Sequence, residues 1–494
     1  MTEEIRKERS PGMKLLLASL IGFVLLIPLL AVYALVYDRQ SQSQTAQDSI
    51  NAGWGGPQVI AGPVIVVPFM STQVQNEEVN GKTISRTVEV ERLLYISPVE
   101  NRLASNVKPQ ERTKSIYRSV LYETDVSGTA SFALPDDLSR FGVTREVLIW
   151  DRAELRMGAS DARGLTKGGT LKVSGSLRGP EAAAYVAGSQ QSLAVQPGKG
   201  PGATGGQGFF AFLPWDGQGS LQVDYAFGLR GSRSLSLVPR GGQTQWDVSS
   251  TWANPSFGGG FLPEKRDVSD SGFKASYTID KLALGQPPVA TEDLGAPMID
   301  LGNGDGSYSG ATAVSAADRS EAISGPAQAV TVGLVEPVNL YSKVDRSVKY
   351  GFLFIGFTFL AFLLFDVVGG ARVAAAEYLL TGAGLVLFFV LLLAFAEVIG
   401  FTGAYLVASA AVIGLLSAYS AAVLKSWRRG YFIGAMLIGL YALLFVLLNL
   451  EAWSLLIGSV LLFAALAGVM YATRGVDWSS VGRREPPVAP LPAA

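Results

Sequence analysis

Residues 15–37 read LLLASLIGFVLLIPLLAVYALVY, an uninterrupted apolar stretch of about 23 residues near the start of the chain. A helix of this length rises about 35 Å, which exceeds the roughly 30 Å of hydrocarbon in a bilayer. The stretch is too long for the core of a signal peptide, and no clear small-residue cleavage site follows it. It therefore predicts an uncleaved N-terminal membrane anchor, which Pro28 should kink.

The last third of the chain is equally apolar. Charged residues divide it into five runs that are each long enough to cross a membrane, at 350–368, 377–396, 402–424, 430–448 and 453–472. The fold class predicted is thus an α+β membrane protein with about six transmembrane helices, the anchor and a C-terminal bundle at 348–473. A mean hydropathy of +0.30 with only 16% charged residues agrees with a protein that occupies two solvents.

Lysine and arginine at the span ends predict the orientation, because these residues stay on the cytoplasmic side. The basic residues at one set of ends are Arg6, Lys7, Arg9, Lys14, Arg372, Lys425, Arg428, Arg429, Arg474, Arg483 and Arg484. The intervening turns at 397–402 and 449–453 contain neither residue type. We therefore predict a cytoplasmic N-terminus at 1–14, a cytoplasmic tail at 474–494 and a periplasmic domain at 38–347.

The periplasmic domain is predicted to be β-rich. Its apolar residues alternate with period two, as in TVEVERLLYI at 87–96, TLKVSGSL at 170–177 and LQVDYAF at 221–227. Glycine- and proline-rich breaks separate these runs, which favours a sandwich or an open, barrel-like stack of sheets. The glycine-rich segment 197–208 is predicted to be a flexible surface loop, and much of 287–328 a linker or an excursion that packs poorly.

The composition excludes several classes of function. The chain has no cysteine and no histidine, which removes disulfides, thiolate nucleophiles, Ser-His triads and the usual zinc and haem ligands. A net charge of −1 leaves no basic surplus for a phosphate backbone, so nucleic acid is not an expected partner. Any catalysis would rest on carboxylate, lysine, tyrosine or serine side chains.

Short catalytic motifs are present but are outweighed by structural interpretations. Ser271 and Lys274 have the S-x-x-K spacing of serine acyl-transferases, yet the alternation around them predicts a strand on which they point to opposite sides. Asp270-Ser271-Gly272 has no second D-[ST]-G to complete an aspartic dyad. The G-x-G-x-x-G at 200–205 precedes no helix, and the calcium-like 303–306 lacks ligands at the loop's first and last positions. We predict no catalytic, cofactor-binding or metal-binding residue.

Four ionisable residues in the membrane region, Asp366, Glu377, Glu397 and Glu451, would form a proton or cation relay in a transporter. Glu377 and Glu397 are twenty residues apart, about 30 Å along one helix, so they mark its two ends. Asp366 and Glu451 also fall at span ends. Of these four residues, Glu397, which is predicted to lie on the outer side, keeps a buried functional role as an alternative.

Small residues recur every fourth position in the run 402–424, at Ala410, Gly414, Ala418 and Ala422. Such a stripe lets another helix approach closely, so we expect it to be packed against one. A groove for lipid or substrate is the alternative.

Several separate motifs are more specific. In chain order they are GPQVIAGPVIVVP at 56–68; Trp252 with Pro255-Ser256-Phe257; Phe261-Leu262-Pro263 with Arg266 and Gly272-Phe273; Glu336-Pro337-Val338 with Tyr341, Arg346 and Lys349-Tyr350; and Leu391 to Ala394 with Glu397 and Gly400-Phe401. Their order and spacing resemble the CreD family of bacterial inner-membrane proteins over nearly the whole chain.

The resemblance implies a role in cell-envelope integrity, with ties to the Cre two-component regulon, envelope stress and the β-lactam response, and it supplies no molecular activity. It makes Trp252, Pro255, Phe257, Arg266, Glu336, Arg346 and Glu397 the candidate residues for partner binding or coupling. Two positions depart from the family, since Asn254 and Val398 stand where it typically has histidine. These departures argue against histidine-dependent chemistry at either place.

Three functional hypotheses follow. We favour a non-enzymatic protein of the bacterial inner membrane whose outer domain binds an envelope protein or a second copy, or senses the state of the envelope. A transporter or lipid-handling protein comes second, because the bundle offers few central polar groups, mainly Thr381, Ser409 and Ser417. A membrane-bound hydrolase comes third and would need a pair of carboxylates.

Overall fold

The computed structural model describes residues 11–79, 82–175, 177, 190–297, 328–334, 340–367, 373–449 and 454–474. The chain forms two compact units. A β-rich unit comprises Thr45–Pro337, and a helical unit comprises Met1–Gln44 with Val338–Ala494.

The β-rich unit consists of strands and short helical turns. Its strands are β1 Gln58–Val79, β2 Lys82–Ile96, β3 Glu100–Lys114, β4 Tyr117–Ala133, β5 Glu154–Ala159, β6 Leu165–Gly175, β7 Gln191–Leu193, β8 Gln196–Pro197, β9 Gly208–Phe212, β10 Ser220–Ser232, β11 Ser234–Val238, β12 Gln243–Ser250, β13 Pro255–Gly259, β14 Lys265–Ser269, β15 Gly272–Ile279, β16 Val289–Ala290 and β17 Val330–Leu334. The runs predicted at 87–96 and 221–227 lie within strands, and the run at 170–177 forms a strand through Gly175.

These strands form two mixed sheets. The first has the order β13-β17-β11-β1-β5-β9-β8, with β2 beside β1 and β16 beside β2; the second has the order β14-β15-β12-β3-β4-β10-β6-β7. Inward side chains of both sheets, among them Ile60, Leu155, Phe132 and Trp246, belong to one hydrophobic core. Along β12 burial alternates residue by residue, as expected for a strand with one face on a core. The unit is therefore sandwich-like.

The segment 197–208 is not a flexible surface loop, so that prediction was wrong. Ala203 and Thr204 are each 4% exposed, and the Thr204 hydroxyl donates to the carbonyl oxygens of Pro201 and Gln207. A Cβ on Gly200 would lie 1.8 Å from the Gln207 carbonyl oxygen. The glycines that suggested mobility instead permit a close backbone approach.

The prediction of a poorly packed excursion at 287–328 is also wrong for its described beginning. β16 pairs with β2, and the Asp293 carboxylate accepts from the backbone N–H of Gly202 and from the buried guanidinium of Arg240. Residues 298–327 lie outside the described residues. The strand predicted around Lys274 is confirmed, because Phe273, Ala275, Tyr277 and Ile279 are buried while Lys274 is exposed.

The helices are α1 Pro11–Val24, α2 Leu26–Ala52, α3 Lys281–Leu284, α4 Leu340–Lys349, α5 Gly351–Val367, α6 Ala375–Val423, α7 Trp427–Asn449 and α8 Ser454–Thr473. Among the described residues four helices are long and apolar enough to cross a membrane, Met13–Ala52, Leu340–Asp366, Ala375–Val423 and Trp427–Asn449. The helix is interrupted at Leu25, between α1 and α2, because Pro28 has no N–H for the Val24 carbonyl; the kink itself stays a prediction.

Helix α6 folds back on itself. Its only residue with non-helical φ and ψ is Gly400, at 77° and 164°. In a straight helix Gly384 and Leu416 would be about 48 Å apart, yet a Cβ on Gly384 would lie 2.9 Å from the Leu416 side chain. The halves 375–399 and 401–423 are therefore antiparallel, and the turn predicted at 397–402 is confirmed.

The small-residue stripe is not packed as expected. Ala410, Gly414, Ala418 and Ala422 are all exposed, and a Cβ on Gly414 would meet nothing within 4 Å. No helix covers the stripe in the part of the chain that the structure describes.

Candidate functional site

The candidate residues Trp252, Pro255 and Phe257 lie at one edge of the sandwich. β13 is the edge strand of the first sheet, and β14, which carries Arg266, is the edge strand of the second. The chain passes from one edge strand to the other through residues 260–264. The motif that the family resemblance singled out therefore forms the place where the chain changes sheets.

Aromatic packing supports this edge. Trp252, Phe257 and Phe261 are partly buried against the core, and Phe257 meets Phe273 of the second sheet edge to face, with ring centroids 5.8 Å apart. The Trp252 indole N–H donates to the Asn254 carbonyl oxygen at 3.1 Å. Arg266 is exposed with the rest of β14. The aromatic residues thus pack between the two sheets at this edge, while the Arg266 side chain is exposed to solvent.

Hydrogen bonding and chain connectivity link the edge strand β13 to helix α4. It pairs with β17, with Phe257 opposite Val332. β17 ends at Leu334, and α4 begins at Leu340. Glu336, a candidate residue, lies between them and outside the described residues. The motif edge and α4 are thus separated by one strand and five residues.

Helix α4 is amphipathic and packs on the helical unit. It buries Tyr341, Val344, Ser347 and Val348, and its candidate residue Arg346 is half-buried. The buried side chains recur three or four residues apart, so they occupy one helix face. This packing places α4 with the bundle.

Glu397 accepts a hydrogen bond from α4. The Tyr341 hydroxyl lies 3.2 Å from Glu397 Oε1, and Glu397 is half-buried. The Lys343 ammonium lies 3.1 Å from Asn449 Oδ1 and 5.3 Å from the ring centroid of Phe401. Since Glu397 and Phe401 flank Gly400, α4 is attached at the turn of the α6 hairpin. Of the candidate residues, the structure brings Arg346 and Glu397 into this one cluster of helices.

The sequence interpretation missed Tyr341 and Lys343 as partners of this turn. Tyr341 stood in the family motif, and the signal that could have selected it is the spacing of Tyr341, Val344 and Val348, which predicts a buried helix face. Lys343 and Asn449 are 106 positions apart, and no local pattern predicts their contact.

A second polar contact in the helical unit was also missed. The Lys14 ammonium lies 2.8 Å from Asp366 Oδ1, and their side chains are 24% and 2% exposed. The sequence placed both residues at cytoplasmic span ends without pairing them. The contact links α1 to α5. Because the Asp366 side chain is almost fully buried, removing either partner would leave the other charge without its counter-charge.

The outer face of the first sheet carries a further charged cluster. Glu154 pairs with Arg156 and Lys199, and Asp293 pairs with Arg240. Burial and the nearby Asp293 carboxylate raise the pKa of the Tyr95 phenol. These contacts pin the segments 196–207 and 288–297 to the sheet. Among the described residues no group of three or more acidic side chains could hold a metal ion.

Apolar spans, a helical hairpin capped by an amphipathic helix, and a large β-rich unit define a membrane protein of the α+β class. The family model described as "Inner membrane protein CreD" matches residues 10–479. The inner membrane protein CreD of Escherichia coli (strain K12) is 31% identical over 472 residues, which are 94% of this chain and 93% of that protein. The chain belongs to the CreD family and is an inner-membrane protein.

Proposed function

We propose that this chain is a non-enzymatic protein that contributes to cell-envelope integrity and to the response to envelope stress. Its periplasmic β-rich domain binds or senses an envelope partner, and its helices receive the resulting change at the turn of the α6 hairpin. The observation that carries the proposal is the hydrogen bond between Tyr341 and Glu397, because α4 is the first helix described after β17, the strand that pairs with β13 of the motif edge, and Tyr341 of α4 contacts that turn.

The proposed topology has six spans. They are the anchor of α1 and α2, then α5, the two halves of α6, α7 and α8, with both termini cytoplasmic. Exposed aromatic side chains support it, since Tyr37 is 71%, Trp427 65%, Tyr431 69% and Tyr471 67% exposed. Tyrosine and tryptophan prefer the membrane interfaces, and these four lie at predicted span ends.

A non-enzymatic role is supported by the arrangement of the carboxylates. Glu397 accepts from a phenol, Asp366 from an ammonium, and Glu377 from the backbone N–H of Ala374. Each of these carboxylates has a structural partner, and Glu397 is about 30 Å from Glu377 along their helix. This arrangement differs from the close carboxylate pair that a hydrolase would need.

A lipid-handling function is the second candidate, and one observation favours it. An apolar groove of about 370 Å³ lies between α2 and α6 and is lined by Leu25, Pro28, Leu35, Val386 and Val390 among others. Its walls belong to helices proposed to cross the bilayer, so an acyl chain could occupy it.

Two substitutions at Glu397 distinguish these functions. Glu397→Gln keeps an oxygen that accepts from Tyr341, whereas Glu397→Leu removes it. Each variant is expressed in a strain without the native protein, and survival under β-lactam and detergent stress is compared at equal membrane abundance. If coupling carries the function, Gln should behave as wild type, and Leu and Tyr341→Phe should lower survival about tenfold.

The matched control is Glu377→Gln, since glutamine can also accept from a backbone N–H at a helix start. We expect it to survive as wild type does. Failure of Glu397→Gln at normal abundance would show that the charge is needed, which is the result a transporter predicts. Wild-type survival of Glu397→Leu would contradict coupling through this hydrogen bond.

A further inference from the structure

The hairpin of β1 and β2 extends beyond the sandwich core. The two strands pair without interruption from Ile65 with Ile96 to Val79 with Lys82. β1 is buried through Phe69, whereas Met70 and Val74 are 40% and 61% exposed. The ten outer pairs, residues 70–79 with 82–91, form what we call the arm. At about 3.3 Å per residue the arm is roughly 30 Å long.

The outer edge of β2 has no strand partner along the arm. β16 pairs with β2 only at Tyr95 and Ile96, and among the described residues no other strand pairs with β2 on that side. Unpaired edges are templates for pairing with another chain. The arm therefore offers an edge about ten residues long.

Three other edge strands of the sheets, β14, β7 and β8, are protected in ways that the β2 edge of the arm is not. β14 has the sequence KRDVS and is exposed along its whole length, and charged edge residues oppose pairing. β7 and β8 have three and two residues. The β2 edge instead reads TVEVE at 87–91, with β-branched residues that favour strands.

An ion pair between Arg152 and Glu91 fixes the direction of the arm at its base. The Arg152 guanidinium donates two hydrogen bonds to the Glu91 carboxylate, at 2.7 and 2.9 Å. This hydrogen bonding lowers the pKa of Glu91. A two-stranded hairpin is marginally stable in water by itself, so an arm of this length gains from a further strand.

The β2 edge is complementary to itself. We propose that a second copy of this chain pairs antiparallel with it, with Val88 facing Val88 on the two-fold axis. Arg86 then faces Val90, and Thr87 faces Glu89, so no like charges are opposed. Val88 and Val90, both half-buried in the single chain, form a cluster of four valines on one face of the joined sheets.

Registers shifted by one or two residues from the Val88 register are less favourable for pairing. A shift that centres Glu89 sets two carboxylates against each other, and a shift that centres Arg86 sets two guanidinium groups together. Centring Thr87 places Lys82 against Arg92 of the second copy and Arg86 against Val88, and it does not bring the four valines together. The Val88 register is thus the one that combines apolar contact with the absence of repulsion.

In the proposed function the outer domain binds a partner, and this pairing identifies that partner as a second copy. The inference rests on the proposed function in that respect only. It can be tested on purified full-length protein, because the chain contains no cysteine. Single cysteines replace Arg86, Thr87, Val88, Glu89 and Val90 in turn, in lipid nanodiscs or detergent. Mild oxidation is followed by non-reducing gel electrophoresis.

We expect the disulfide-linked dimer to peak at Val88→Cys. Opposed residues of an antiparallel pair have Cα atoms about 4.5–5.5 Å apart, within disulfide range. Thr87 and its copy would be about 8 Å apart, which is too far. Val74→Cys, on the other strand of the arm, is the matched control and should give at least fivefold less dimer.

A second variant tests the pairing without oxidation. Val88→Lys places two ammonium groups on the axis, and light scattering should show a shift from dimer to monomer while circular dichroism is unchanged. Absence of a disulfide at Val88, a peak at another position, or equal dimer at Val74 would overturn the proposal. These results are independent of the survival assays, so the proposed function could stand if the pairing failed.

Discussion

The two units of this protein differ in how many of their large apolar side chains are exposed, and the helical unit exposes more of them. In the β-rich unit Trp215, Trp246 and Phe132 are fully buried. In the helical unit Phe23 and Phe463 are 74% and 75% exposed, while the interior contains Thr358, Thr381, Ser420 and Asp366. Lipid is as apolar as leucine, so no hydrophobic effect drives helices together within it. Burial of apolar area should thus dominate one unit, and a few polar contacts and glycine positions the other.

The largest effect should come from the sandwich core. Trp246 is fully buried, stacks on Tyr277 with centroids 5.4 Å apart, and donates to Ser105 at 3.0 Å. Trp246→Ala should lower the free energy of unfolding by about 3–5 kcal/mol through lost burial and a cavity. Urea unfolding of the full chain in detergent, followed by near-ultraviolet circular dichroism, measures it.

Phe212→Ala is the control for that experiment, since Phe212 is an aromatic residue of the same unit that is 51% exposed. It should cost less than about 1 kcal/mol. Equal effects of the two substitutions would contradict the view that apolar burial stabilises the β-rich unit.

The next effect should come from the ion pair of the helical unit. Asp366→Ala leaves the Lys14 ammonium without its buried partner and should cost about 2–4 kcal/mol. Replacing both, as Lys14→Met with Asp366→Leu, should restore most of this stability because neither charge is then buried. Titration with sodium dodecyl sulfate, followed by helical circular dichroism, measures both variants.

Asp345→Ala is the matched control, because Asp345 pairs with Lys349 at 2.6 Å while the lysine is 58% exposed. Such a pair is worth less than about 1 kcal/mol. If Asp366→Ala were as mild as Asp345→Ala, the buried pair would not be a principal contact of the helical unit.

Local patterns in the sequence predicted the features that are themselves local. The apolar N-terminal helix, its interruption near Pro28 and the alternation of the strands depend on neighbouring residues, and each is present in the structure. The glycine-rich segment 197–208 was misjudged because low hydrophobicity does not show how closely backbones can approach. The contact of Lys14 with Asp366 joins residues 352 positions apart, and no periodicity encodes it.

The candidate site was predicted only in part, for the same reason. The family resemblance selected Glu397 and Phe257, but Tyr341 became a partner of Glu397 only once α4 was placed. The arm gives another example. Thr87 to Glu91 and Leu93 to Ile96 share one alternating pattern, yet the first group is outside the core and Leu94 and Ile96 are within it. Burial depends on which strands lie alongside, and a single strand's pattern does not contain that information.

A smaller effect is expected at the turn of the α6 hairpin. Gly400 has a φ of 77° and a ψ of 164°, a conformation used almost only by glycine that costs an L-residue about 1–3 kcal/mol. Gly400→Ala should therefore destabilise the helical unit by about that amount in the detergent titration. Gly439→Ala, in an open position within α7, should be neutral or slightly stabilising, because alanine is the better helix former. A neutral Gly400→Ala would show that the turn relaxes without cost.

The smallest effect on stability should follow from shortening the arm. Deleting 72–78 together with 83–89 keeps the paired residues Ser71 and Val90, the paired residues Val79 and Lys82, and residues 80–81 between them. Because the described side chains among the deleted residues, 72–74 and 85–89, are exposed or half-buried, urea unfolding of the β-rich unit should change by less than about 0.5 kcal/mol. The same deletion removes Val88 and should abolish the dimer in light scattering. A large loss of stability would instead assign the arm to the packed body, whereas a preserved dimer would move the contact between copies to another surface. Together, urea unfolding and light scattering separate the contribution of β1 and β2 to the stability of one chain from their contribution to pairing between two chains.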